Sequence, residues 1–347
     1  MAKILVYVNS SRDLGLEKRK YMLLPLSQLP ELSPNRQAFP LIKEYLSRGE
    51  LLQIKVHEQN GVTVIDCGVH VEGSWEAGIL FASVCLGGLA QVKLHWSDFK
   101  GLHWPSVEVV TDHPVRACMA SQYAGWPIKT GKGLTMGSGP ARAIVHKGSL
   151  FRLLGYEDHS KTAIICLEGR EFPSEEVIQH IIEECHCDPS NLYILVAPTA
   201  SLVGSVQVAA RALETGLFKL RRSGYDLGKV VSGWGVCPIP PVARDTLSGL
   251  GRTNDAILYG STVLYNLRDD DETLEHVVKQ VPSSCNREYG RAYMEVQATN
   301  KNFFNIDPDQ FTPAEVWLCN LNSGRSFHAG LLRPDILQKS FGLETNS

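Results

Sequence analysis

Arg211 and Glu214 stand three residues apart in a run of small and apolar side chains. Helical spacing of three puts both on one face. Gly204, Ser205, Val206, Val208, Ala209 and Ala210 nearby predict that much of this helix is buried. Desolvation raises the pKa of a carboxylate in such surroundings and a guanidinium lowers it, which can tune a general base to work near neutral pH. A structural ion pair has the same spacing, so both readings stay open. The stretch GKGLTMGSGPARA (131–143) lacks the glycine pattern of a dinucleotide loop and the closing GK[ST] of a phosphate loop. It does offer Gly137, Ser138 and Gly139, where backbone amides could face an anion, and Arg142 at a helix start. A capped turn before a helix accounts for it equally. Two more segments have the makings of site-building loops: Thr111-Asp112-His113-Pro114, where a strand meets a helix, and Gly251-Arg252-Thr253-Asn254-Asp255, just before an expected strand. Capping or turn chemistry explains each as well. His186 between Cys185 and Cys187 has no second ligand pair at metal spacing and reads as a helix end.

The elements that must position these residues follow from periodicity. QIKVHEQ and VTVIDCGV, joined by Asn60-Gly61, predict a hairpin. Trp75 to Leu86 reads as a helix stopped by Gly87-Gly88, and SEEVIQHIIEECH as an amphipathic helix opened by Ser174. Strands are expected at AQVKLHW, SVEVVT, TAIICLEG and NLYILVAP, and one long helix from about Leu202 to Leu220. AILYGSTVLYNL is strand-like. Hairpins interrupt the alternation of strands and helices, which favours an α+β fold over a doubly wound α/β one. We expect an N-terminal extension (1–38), an N-terminal α+β domain (39–188) and a C-terminal α+β domain (189–347). The boundary falls near Asp188-Pro189, and one domain could be discontinuous.

Composition narrows the functional classes. Lys and Arg number 34 against 37 Asp and Glu, a net charge of −3, so no global basic field recruits nucleic acid or an anionic membrane. No stretch has the roughly 20 uncharged apolar residues of a membrane helix. Nine cysteines without a CxxC pair argue for reduced thiols and a cytoplasmic location. A cysteine-dependent acyl hydrolase would need a reactive thiolate beside a histidine, and no such pairing stands out.

Several stretches taken together resemble one family, the methenyltetrahydromethanopterin cyclohydrolases. They are NGVTVIDCGV, EAGILFASVCLGGLA, TDHP running on to QYAGW, TMGSGPARA, LVAPTASLVGSVQVAARALETGLFKL, GRTNDAILYG, IDPDQF and QKSFGL. The resemblance covers most of the chain beyond residue 38. It implies a two-domain α+β enzyme with a ligand pocket between its domains, assembled as a homotrimer, that opens the methenyl bridge of a pterin one-carbon carrier with water. It implies no metal and no redox cofactor. Glu214 would be the base and Arg211 would orient it. Asp112, His113, Tyr123, Gly137, Ser138, Gly139, Arg142, Thr199, Ser201, Arg252, Thr253, Asn254 and Asp255 would bind substrate. Several archaeal relatives carry Lys where this chain has Tyr123 in SQYAGW; if that lysine contacts substrate, its role here is vacant or is met by the tyrosine hydroxyl. A non-catalytic carrier-binding protein would keep the loops but would not need Glu214.

Overall fold

The computed structural model describes residues 3–6, 22–25, 32–130, 133–145, 150–151, 156–299 and 310–343. Gly131, Lys132 and the first four residues of IDPDQF lie outside them, as does most of the N-terminal stretch. The fold is α+β, with helices around two six-stranded mixed sheets. A separate antiparallel pair joins β1 (Lys3–Val6) and β2 (Met22–Pro25).

The first sheet contains β3 (Lys55–Gln59), β4 (Val62–Asp66), β7 (Trp126–Thr130), β8 (Gly133–Ser138), β9 (Ala163–Glu168) and β10 (Leu192–Ala197), in the order β3-β4-β10-β9-β8-β7. Its middle is parallel, β10 pairing with both β4 and β9. Such strands are covered on both faces and read as near-continuous apolar runs, as AIICLE and LYILVA do. Alternation then sorts the side chains. Ile164, Cys166, Leu195 and Ala197 pack with Tyr45 and Phe81, from the helices Pro34–Ser47 and Trp75–Cys85. Ile165, Leu167, Ile194 and Val196 face the Glu175–Cys185 helix instead.

The second sheet holds β5 (Gln91–Phe99), β6 (Leu102–Thr111), β11 (Val230–Pro238), β12 (Thr262–Leu267), β13 (Glu315–Asn320) and β14 (Ser326–Gly330), ordered β14-β13-β12-β11-β6-β5. Only its β12–β13 pairing is parallel. The helix Ala212–Arg222 lies against it through Leu213, Leu217 and Tyr265. The Tyr265 hydroxyl donates to the Leu213 carbonyl at 2.7 Å, and a Cβ on Gly216 would collide with that hydroxyl. Glycine there is what lets the helix approach β12.

The chain crosses between the sheets more than once. β5 and β6 belong to the second sheet although they precede residue 188, and β10 lies in the first although it follows that residue. Sheet membership therefore does not follow the 39–188 and 189–347 spans. The N-terminal expectation also needs correction at its edge, because Ser33 to Ala38 are the start of a helix rather than extension. Ser33 caps that helix, accepting from the Arg36 backbone N–H at 3.2 Å. Fully buried Asn35 donates to Asp158 and to the Pro140 carbonyl, both at 2.9 Å, and accepts from the Ile164 N–H at 3.0 Å.

Two helical expectations change as well. The predicted 202–220 helix is two, Leu202–Ala209 and Ala212–Arg222, broken at Ala210 and Arg211. The Ala210 carbonyl accepts instead from the buried side-chain amide of Gln122 at 3.1 Å. AILYG ends a helix, Thr246–Gly260, so Arg252 to Asp255 are helical and not a loop before a strand. Asp245 caps that helix, accepting from the Ser248 N–H at 2.9 Å.

Candidate active site

Three helices (Leu202–Ala209, Ala212–Arg222 and Thr246–Gly260) meet the end of β8 and β9 around a cavity of about 570 Å³. That is within the usual size of small-molecule sites. Arg211 and Glu214 line it, with Tyr123, Ser138, Thr253 and Asn254.

Arg211 is the N-cap residue at the helix break and not part of one long helix. Its three-residue spacing to Glu214 survives because its backbone is still right-handed helical, and Nη1 lies 3.7 Å from Glu214 Oε2. Three acceptors fix the guanidinium: the Gln122 carbonyl at 2.8 Å, Ser138 Oγ at 2.9 Å and Gln207 Oε1 at 3.2 Å. Ser138 in turn donates to the Gln122 carbonyl at 2.6 Å. A planar fork held at Nε, Nη1 and Nη2 has little freedom left.

Glu214 is only 6% exposed. Burial pushes its carboxyl up to about 7, against the opposing pull of Arg211 first and Arg142 second. A carboxyl titrating there exchanges protons at neutral pH. Arg142, buried above the Tyr123 and Phe151 rings, is pushed down to about 10 by its own desolvation and donates to the Met119 carbonyl at 3.1 Å. Tyr123 stacks on Phe218 with centroids 5.3 Å apart, and burial raises its phenol.

The remaining expected residues fall into two groups. Gly137, Gly139, Arg142, Thr199, Ser201 and Asp255 support the cavity without lining it. A Cβ on Gly137 would press on Ile128, Ile165 and Trp126, and Gly139 turns the chain out of β8 at φ +93°. Ser201 caps the Leu202–Ala209 helix, accepting from the Gly204 N–H at 3.0 Å. Thr199 donates to Glu168 Oε1. Asp255 accepts from the Tyr293 N–H at 2.8 Å and from Ser340 at 2.6 Å, and burial raises its carboxyl to about 7. Asp112, His113 and Arg252 also lie outside the cavity wall. The His113 N–H donates to Thr111 Oγ1 at 3.0 Å, Asp112 is exposed, and Arg252 donates to the Pro241 and Val242 carbonyls.

Sequence reasoning missed Glu168, Gln207, Tyr293 and Phe311, all of which line the cavity. Gln207 was within reach of a helical-spacing argument, four residues before Arg211. Glu168 gave no local signal beyond being the charged end of an apolar strand. Among the described residues, no group of three His, Cys, Asp or Glu side chains is arranged to hold a metal ion. None of their helices is long and apolar enough to cross a membrane.

Residues 33–341 match the family model described as Cyclohydrolase (MCH). The chain belongs to that family. It is 42% identical over 318 residues to the methenyltetrahydromethanopterin cyclohydrolase of Methanococcoides burtonii, spanning 90% of this chain and 99% of that protein. The enzyme of the same name from Methanosarcina barkeri is 43% identical over 317 residues, with the same two coverages. That of Methylobacillus flagellatus is 41% identical over 313 residues, spanning 89% of this chain and 95% of the relative. The matched segment runs from the Ser33 cap through the helix Pro334–Phe341.

Proposed function

We propose that this cyclohydrolase hydrolyses 5,10-methenyltetrahydromethanopterin, or its dephospho form, to the formyl carrier, reversibly, in a pocket formed by the 570 Å³ cavity between its two sheet domains. The observation that carries the reading is Glu214, a buried carboxyl raised to about 7 and tied to Arg211 in that cavity. The methenyl carbon belongs to a cationic amidinium and is already electrophilic, so no metal or redox cofactor has to polarise it. Water attacks this carbon while Glu214 takes one of its protons, and the carboxylate's charge favours the cation next to it. Glu214 then returns the proton to the ring nitrogen as the carbon–nitrogen bond breaks. The remaining hydroxyl proton leaves as the formyl carbonyl forms, so a cation and water give a neutral formyl carrier and one proton. Arg211, itself fixed by Gln122, Ser138 and Gln207, keeps the carboxylate aimed. Tyr123, Ser138, Thr253 and Asn254 contact the substrate, while Thr199, Ser201 and Asp255 hold the walls.

The reading extends to a soluble homotrimer in the cytoplasm. Hydrolysis in ¹⁸O-labelled water tests the chemistry. One label should enter each formyl group as the amidinium absorbance falls, and enzyme-dependent loss of absorbance without label in the formyl group would sink the mechanism.

A further inference from the structure

Glu168 is the second carboxylate of the cavity and has no part in the water chemistry above. It ends β9, and the β8–β9 register fixes its neighbours. Ser138 sits opposite Cys166 and Gly137 opposite Leu167, so Met136 is across from Glu168. Met136, Ser138, Cys166 and Glu168 therefore share one face of the sheet, and all four line the cavity. Ser138 is one of the three residues that anchor Arg211. Glu168 lies two residues past its row, a step of about 7 Å along the strand. The floor thus has the row of Ser138, which bonds Arg211, two residues along the strand from a second carboxylate, with the apolar Met136 and Phe81 also in its wall.

The carboxylate is held ready. Buried Thr199 donates to Oε1, and among the described residues no donor meets Oε2. Glu168 itself is exposed, open to whatever enters the cavity. A carboxylate in this state accepts two parallel N–H bonds side by side. A pterin presents such a pair at the end of its fused ring away from the reacting carbon, the 2-amino group and N3–H.

We propose that Glu168, steadied by Thr199, grips the 2-amino/N3–H edge of the pterin and so sets both its orientation and the enzyme's choice of a 2-amino ring. This rests on the hydrolase reading above, because a pterin substrate is what supplies the edge. Glu168 is a binding and specificity residue and takes no proton in the reaction.

Glu168→Gln tests the assignment, because glutamine offers one acceptor and one donor where the wild type offers two acceptors. That pattern matches a 2-oxo ring instead of a 2-amino ring. Two measurements are needed on wild type and variant: kcat and KM for the methenyl carrier, and competitive inhibition by tetrahydropterin and by its 2-oxo counterpart, tetrahydrolumazine. Losing one charge-assisted hydrogen bond and opposing another should raise KM roughly 10- to 100-fold and leave kcat within about threefold. Wild type should prefer the 2-amino fragment, and Glu168→Gln should lose or reverse that preference. An unchanged KM with unchanged fragment preference would overturn the assignment. If wild type fails to hydrolyse the methenyl carrier, the function reading falls, and calorimetric binding of the two fragments to wild type and variant still judges Glu168: no 2-amino preference in wild type overturns the assignment, and a preference lost in the variant supports it. If Glu168→Gln does not fold, equal inhibition of wild type by the two fragments overturns the assignment and a 2-amino preference supports it.

Discussion

Replacing Glu214 by glutamine should remove activity and at the same time make the protein more stable at alkaline pH. Burial raises this carboxyl from an ordinary 4.5 to about 7. At 1.36 kcal/mol per pH unit the difference is worth roughly 3 kcal/mol. Because the folded-state pKa is the higher one, the folded chain holds the proton more tightly. This contribution is complete below about pH 4.5 and is lost as pH rises through about 7. Wild type therefore keeps a buried carboxylate at pH 8 at the expense of stability. Glutamine copies the neutral acid and does not titrate. Relative to wild type, Glu214→Gln should gain stability with pH, the gap widening by roughly 2 kcal/mol between pH 5 and pH 8. Catalytic efficiency moves the opposite way: kcat/KM of wild type should rise with pH through about 7, as the base of the free enzyme loses its proton. In the variant kcat should fall on the order of 10²–10⁴-fold, the usual worth of general base catalysis, with substrate binding largely retained. Denaturant unfolding at both pH values and steady-state kinetics on the same samples read both effects. A folded variant with near-normal kcat, and a stability gap that stays flat or shrinks with pH, would mean that Glu214 is a structural ion-pair partner.

Arg211→Ala should lower kcat by roughly 10- to 1,000-fold and move the rising limb of the pH–rate profile upward, since the guanidinium is the main group pulling the Glu214 carboxyl down; an unmoved limb would contradict this. Asn35→Ala should cost about 2–4 kcal/mol in urea unfolding, because it strands the Ile164 N–H and one side of Asp158 in the interior. Deleting residues 1–31 should leave kcat unchanged, whereas deletion through residue 38 removes Asn35 and the helix cap and should destabilise the fold. Light scattering should give a mass near three copies of the 38.3 kDa chain, and a monomer mass would refute the trimer.

Local chemistry was the legible part of this fold. Asn60 and Gly61 both adopt positive φ, +53° and +77°, as the two-residue hairpin turn they predict requires. Ser174 caps the helix it was expected to open, accepting from the Val177 N–H. What stayed hidden was decided by distant partners. β4 and β10 pair in parallel across some 130 residues of chain, and nothing in either strand names the other. The β-branched and aromatic AILYG is drawn into a helix by burial of Ala256, Ile257 and Tyr259 in the large core, where packing outweighs propensity. At the site, the spacing of Arg211 and Glu214 announced a pair, while the helix break at Ala210 and Arg211 depends on Gln122, which comes from another part of the chain. Glu168 was invisible for the same reason, since its meaning comes from Met136 and Ser138 on the neighbouring strand.

Under the proposed function, this chain opens the methenyl bridge of tetrahydromethanopterin. The most direct test is to add the purified protein to that carrier near pH 8, with chelator present and no nucleotide, and to follow the amidinium absorbance beside a parallel reaction on methenyltetrahydrofolate. Rapid, catalytic loss of the methanopterin signal is expected, with a clearly lower kcat/KM on the folate analogue. Turnover of the folate analogue that equals or exceeds it would contradict the substrate, and no enzyme-dependent loss of either signal would contradict the activity itself.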